Sequence, residues 1–246
     1  MIRCLVVLML AAFVAAGPAR ADEAVSLELI FETHGAAPKA VADVFRARLD
    51  PYAPDTVVEI QDGQVRVTFW GVQRPDWWAE RLSLRGTFGL HEVVSEAPDC
   101  SAPPAQGLVC AAPTLDGQAH LWLHPASLRN DAIVQAEPGF DHQGLPVVNV
   151  RLSSDAAQVF GEMTARLMGK RIAIVYEDTI LTAPVVQTPI LGGAMMISGG
   201  FSGEEASDLA VMLSTPALPD GVELVSQRTG PVQEPPKKSL LQRLFD

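Results

Sequence analysis

Cysteine, tyrosine and basic residues are scarce in this sequence: its 246 residues include 3 Cys, 2 Tyr and 18 Lys+Arg, the last against 29 Asp+Glu for a formal charge of −11. Cations form nothing larger than adjacent pairs such as Lys237-Lys238, so a nucleic-acid backbone finds no electrostatic footprint, which excludes that class of partner. Long apolar runs are missing too. The longest, Leu5 to Gly17, has 13 residues, too few to cross a bilayer comfortably, so no membrane span is expected. What is plentiful is aliphatic material: 48% of residues are hydrophobic and only 6% aromatic. That is enough for one packed domain or two modest ones, and it excludes a disordered or fibrous chain.

The apolar run has a setting. Arg3 precedes it and Pro18-Ala19-Arg20-Ala21 closes it with small residues, the order of a cleavable secretory signal over residues 1–21. Cleavage after Ala21 leaves 225 residues, removes Arg3 and Arg20, and brings the charge to 16 − 29 = −13. A membrane anchor is the alternative reading. Cys4 lies before the run, whereas a lipid-bearing cysteine would follow it. The protein is therefore expected to be exported into an oxidising compartment, which the resemblance given below identifies as the periplasm. Cys100 and Cys110 are the two cysteines left, in a Pro/Ala/Gly-rich stretch, and compartment and count together predict a disulfide between them. Two free thiols or half a metal site are the alternatives, and a spacing of ten with no second pair fits no zinc pattern.

Alternation of Val25, Leu27, Leu29 and Phe31 with polar residues predicts a strand with one wet face. Pro38 opens a helix with Val41, Val44, Phe45 and Leu49 on one side. Thr56–Ile60 and Val65–Trp70 form a hairpin about Asp62-Gly63, a pair suited to a type I′ turn. Pro75 starts a second helix and Thr87–Val94 makes a fourth strand. The order β-α-β-β-α-β is the ferredoxin-like plan. This base is expected over residues 24–95, followed by a stapled connecting loop over 96–117 and a second α+β unit over 118–229. In that unit strands are expected at Ala119–His124, Val147–Leu152, Arg171–Tyr176, Ile180–Val186 and Ala194–Ser198. One helix follows Ser153 or Ser154 with a stripe of Ala156, Val159, Phe160, Met163 and Leu167, stopped by Gly169. Another begins at the capping box Ser202-Gly203-Glu204-Glu205, and Val222–Gln227 is the last strand. Residues 230–246 are a Pro-rich linker and a tail that on a helix is expected to set Leu240, Leu241 and Leu244 on one side and its cations Lys237, Lys238 and Arg243 on the other, with Phe245 adding to its apolar groups. Such a tail is a candidate to dock on a partner or an anionic membrane surface, against the alternative of a solvated terminus.

No constellation asks for catalysis. His120 and His124 sit about 13 Å apart if their segment is a strand, too far to share an ion. Ser202 caps a helix and lacks G-x-S-x-G spacing, no phosphate loop or H-E-x-x-H is present, and Glu204-Glu205 complement a helix dipole. No cofactor is expected. What remains is binding surface: Trp70 is placed on the open face of the first sheet with Ile30 beside it, a candidate contact for extended polypeptide.

Five linked motifs carry a resemblance. Gly144-Leu145-Pro146-Val147-Val148 through Phe160 to Thr164, Gly169-Lys170-Arg171-Ile172-Ala173-Ile174-Val175, Thr182-Ala183-Pro184-Val185-Val186, Ile197-Ser198-Gly199-Gly200-Phe201-Ser202-Gly203-Glu204-Glu205-Ala206 and Ala217-Leu218-Pro219 stand in order. The set resembles the head of the first periplasmic domain of SecD, and Leu84–Val93 is similar to the last strand of its base. The resemblance implies an α+β fold of ferredoxin-like base plus head, no enzyme activity, and protein partners: an unfolded or exported polypeptide, or Sec translocon components. It implies capture of an emerging chain without the membrane-embedded motor. The alternative is an envelope scaffold that docks a folded partner through its tail.

Overall fold

The computed structural model describes residues 24–101, 107–113 and 119–232; the leader and the tail read from the sequence lie outside the described residues. The elements run β1 (Val25–Thr33), α1 (Pro38–Leu49), β2 (Val57–Gln61), β3 (Gln64–Val72), α2 (Pro75–Ser83), β4 (Phe88–Ala97), β5 (Val109–Pro113), β6 (His120–Leu123), β7 (Leu128–Arg129), β8 (Ile133–Phe140), β9 (Pro146–Leu152), α3 (Ser154–Arg166), β10 (Ile172–Tyr176), β11 (Thr179–Thr182), β12 (Ala194–Ile197), α4 (Gly203–Ser214) and β13 (Val222–Gly230). The fold is α+β, with several antiparallel sheets and a small barrel.

In the first sheet the strand order is β13-β1-β3-β2, every pair antiparallel. Leu27, Leu29, Phe31, Val65, Val67 and Phe69 point to one face and bury against Val41, Phe45, Leu49, Trp78 and Leu82 of α1 and α2. Asp62 and Gly63 both take positive φ, as the predicted type I′ turn requires. The ferredoxin-like plan is complete, but its fourth strand is a correction: it is β13, not the segment Thr87–Val94. That segment, β4, pairs with β10 and β6 and buries Phe88 and Leu90 in another core. Both strands alternate, so periodicity could not choose between them. The choice falls to β13 because Val222 and Leu224 pack on the base core and because a turn at Gly221 delivers the strand to β1. A Cβ on Gly221, at φ +80°, would lie 2.1 Å from the carbonyl oxygen of His34, so only glycine lets the two segments approach. The head is therefore inserted between α2 and the closing strand of the base.

Within the head, β12-β9-β8 form a sheet covered on one face by α3 and α4. Ser153 accepts from the Ala156 amide to start α3, Gly169 at φ +76° ends its turn, and Ser202 and Glu205 exchange both capping-box bonds at α4. Val159 departs from expectation: it is exposed, because the buried stripe of α3 centres on Phe160 and Met163. Strands β10, β11, β5, β6 and β4 close on themselves through the β10–β4 pairing, around Ala111, Leu121, Leu123, Ala173, Val175 and Ile180. The stretch read as a wholly irregular loop thus contains the end of β4 and all of β5. Cys100 and Cys110 are joined as a disulfide across that junction, Cα atoms 5.7 Å apart.

Because β13 completes the base, a chain ending at Pro219 is expected to lose the base while the head sheet keeps all its strands. The expected readout is a red shift of tryptophan emission as Trp78, buried in the base core, becomes wet; an unchanged spectrum would remove β13 from its structural role.

Candidate functional site

The open face of the base sheet does not bring Ile30 and Trp70 together. Ile30 stands opposite Arg66 on β3, and Trp70 lies four residues further along that strand, about 13 Å away. Ile30 is only 8% exposed. Around it runs a charged row: Arg66 reaches Glu28 at 2.8 Å, Arg228 lies 3.7 Å from the same carboxylate, and Gln64 donates to Glu32. Trp70 is half-buried, and its Nε1 is enclosed without an acceptor among the described residues. Leu240, Leu241, Leu244 and Phe245 lie outside the described residues.

A different place offers concave apolar surface. Where α1 ends, Ala47, Pro51 and Tyr52 face Ala210 and Val211 of α4, with Ala136 and Pro138 of β8 as floor, around a groove of about 770 Å³. That size is typical of a binding cleft. The capping box fixes where α4 begins, and the Ser214 hydroxyl, donating to the Ala136 carbonyl, fixes its far end against β8. Strand β8 is an edge, and Pro138 has no N–H to offer there, so the edge is blunted against strand addition and recognition falls to side chains. Alternation carries the groove-facing side of Ala136 and Pro138 on to Phe140, which is 73% exposed at the hairpin tip; Leu145, across the turn, is 55% exposed. Two charged residues line the groove. Arg46 is held by Asp43 at 2.9 Å and by the Val58 carbonyl at 2.8 Å, whereas Asp50 has no ion-pair partner among the described residues.

Long polar side chains hold the two walls in place. Arg48, fully buried, donates to the carbonyls of Leu84 and Arg85 at 2.6 and 2.8 Å, where the chain leaves the base. Burial lowers its pKa to about 10, so it remains a cation at neutral pH. A Cβ on Gly86, at φ +77°, would sit 2.5 Å from Arg48 Nη2, so glycine is required for the guanidinium to fit. Arg81 is 6% exposed, stacks 4.8 Å from the Tyr52 ring and 5.0 Å from Trp77, and approaches Asp208 of α4 at 2.8 Å. That contact is close but out of line for a hydrogen bond, and Arg81 Nε and Nη2 find no acceptor among the described residues. Burial raises the Asp208 carboxyl above its ordinary pKa, with Arg81 opposing the rise. Burial also pushes Tyr52 up to about 12 and Tyr176 higher still, so both phenols stay neutral. Arg74 and Glu204, 2.6 Å apart, add a second link from α2 to α4.

The groove lining is small and apolar, with Ser207, Ser214 and Thr215 as its hydroxyls. No three His, Cys, Asp or Glu side chains gather as metal ligands among the described residues. Sequence reasoning missed the groove because its small apolar residues come from three distant segments. The one local signal was Phe140, an aromatic just before the Asp-His-Gln-Gly turn.

Comparison with known proteins bears on the fold and on the head. Residues 109–220 match the family described as SecDF, P1 head subdomain. The protein translocase subunit SecD of Rhodobacter capsulatus is 30% identical over 190 residues, covering 76% of this chain and 34% of its own length. SecD of Acidaminococcus fermentans is 42% identical over 89 residues, 36% of this chain and 21% of its own. The chain thus spans about a third or less of these relatives. A crystal structure of SecDF in a super-membrane-facing form superposes with a TM-score of 0.67 at 22% identity, over 83% of this chain and 30% of that one. A second structure, titled for a membrane component SecDF that enhances protein export, gives 0.63 at 22% identity over 82% and 99%. The fold over most of the chain is that of the SecDF periplasmic domain, and residues 109–220 carry the sequence likeness to its P1 head subdomain. Residues 109–220 are thus homologous to the SecDF P1 head subdomain. No described helix is long and apolar enough to cross a membrane.

Arg81→Ala, which leaves Asp208 without its counter-charge, is expected to destabilise the protein by about 2–4 kcal/mol in urea unfolding, and Arg81→Met with Asp208→Leu by much less. Equal losses in the single and double variants would mean that the pair is not coupled. Loss of the carboxyl also has a pH signature. Since burial raises the folded-state pKa of Asp208, its contribution is full below the ordinary carboxylate range and is lost as pH rises through the raised value. The stability difference between Asp208→Asn and the parent should therefore change with pH above that range.

Proposed function

We propose that this chain is a non-enzymatic polypeptide-binding module of the periplasm that assists protein export, taking hold of apolar segments in the groove between base and head. The observation that carries this reading is the groove itself: an apolar floor with a blunted strand edge, bounded by an exposed Phe140 and by walls that belong to two separate cores. A cleft of this build takes side chains of a flexible chain without demanding a particular backbone pairing. Homology to SecD supports the choice of protein as ligand, and the leader expected over residues 1–21 supports the compartment. The base face around Ile30 and Trp70 serves less well, since its charged row covers the aliphatic side chain.

Photo-crosslinking from positions 138 and 140 in living cells, with mass spectrometry of the adducts, should capture exported polypeptides. Position 70 is the control and should capture few. Adducts from position 70 alone would move the site to the base sheet, and adducts from neither would end the reading. Val211→Asp, which charges the half-buried groove wall, is expected to weaken binding of an unfolded test protein by tenfold or more, about 1.4 kcal/mol.

A further inference from the structure

We propose that the groove has a resident occupant, the C-terminal segment Ser239–Phe245 of the same chain, which a client must displace. The inference rests on the groove being the polypeptide site and adds its regulation. Reach comes first. After β13 the chain passes Gly71, where a Cβ would lie 3.6 Å from Val232 Cγ1, and three residues on Arg74 binds Glu204 in the first turn of α4. Ser207, one helical turn beyond Glu204, already lines the groove. The six residues Gln233–Lys238 span up to about 21 Å when extended, which covers this short path over α2 and α4.

Composition comes second. Leu240, Leu241, Leu244 and Phe245 are the apolar groups that such a floor accepts; on a helix they would share one side with Arg243 across from them, and Lys237 and Lys238 precede them. Of the two charged residues that line the groove, Arg46 is turned to Asp43, which Lys39 also approaches at 3.7 Å, while the Asp50 carboxylate has no ion-pair partner among the described residues. In a chain of net charge −11, the tail brings three cations, Lys237, Lys238 and Arg243, into nine residues, so the free Asp50 carboxylate favours it over most of the rest of the molecule. Tethering supplies the last term. A segment joined by so short a linker is present at an effective concentration on the order of millimolar, enough to fill a weak site yet yield to a client of higher affinity.

The experiment uses the full chain with a photo-crosslinker at position 241. Expected are adducts within one polypeptide, to residues 47–52 or 207–214. Adducts to the base sheet, adducts between two copies, or none would overturn the proposal. A fluorescent peptide of residues 233–246 gives an independent reading. It should bind the triple variant Leu240→Asp, Leu241→Asp, Leu244→Asp at least tenfold more tightly than the parent, whose own tail competes. Ala47→Trp, at an exposed helical position, should fill the groove and abolish that gain; equal binding to parent and triple variant would sink the idea. The two readings fail separately: loss of client adducts from positions 138 and 140 with the intramolecular adduct intact strikes the export reading alone, and the reverse pattern strikes only the tail.

Discussion

Closure of the base sheet by β13 is the constraint on which the rest of the molecule depends. Strand β1 is central, paired to β3 on one side and β13 on the other, from Ser26–Gly230 to Thr33–Val222. Half of its backbone groups would otherwise be unpaired beside a buried face, a cost that no side chain there could offset. Since β13 comes after the head, the base cannot finish folding until the head's two ends have been brought together. The head is thereby held at both ends, through Leu84–Gly86 and Leu218–Gly221. Leu218 is itself in the base core, and its amide donates to the carbonyl of Arg85, so outgoing and returning strands of the connection are tied to one another.

Arg48 solves the problem this connection creates. A helix end leaves carbonyls without intrahelical donors, and here the carbonyls of Leu84 and Arg85, just past the end of α2, turn inward to the buried guanidinium. A guanidinium offers several donors in a fixed plane and suits a helix C-terminus electrostatically. Its burial is costly, as the fall of its pKa to about 10 shows, and the cost is met by the two carbonyl bonds and by Glu177 nearby. The same Glu177 accepts from the Thr87 amide, which joins the barrel to this junction.

Much of this was legible in the sequence, and the limits have physical causes. Helices with caps were readable because Ser153, Ser202 and Gly169 are required by backbone geometry within a few residues. The type I′ hairpin followed from Asp62-Gly63 for the same reason. The partner of each strand was not readable, because alternation states which face is buried and is silent on which core buries it; β4 and β13 exchanged places on that account. Strand β8 was hidden by Pro138 and Gly139, residues that argue against a strand interior and are accommodated only at an edge. The groove was invisible because no one of its segments is unusual. Ala47, Ala136 and Ala210 matter for what they leave empty.

That emptiness follows from how the junction is made. Two apolar surfaces meeting between α1, α2 and α4 would close on each other, since every exposed methylene favours contact by about 0.8 kcal/mol. Charged side chains instead reach across: Arg81 and Arg74 span from α2 to Asp208 and Glu204, at lengths that keep the helices apart. Pairs of this kind contribute little net stability when exposed and are costly when buried, so their value here is geometric. They fix the spacing of two cores that are each complete alone, and the space left between α1 and α4 is the groove. A polar junction is thus the physical condition for an apolar site beside it, and the unpaired donors of Arg81 are the cost of holding that site open.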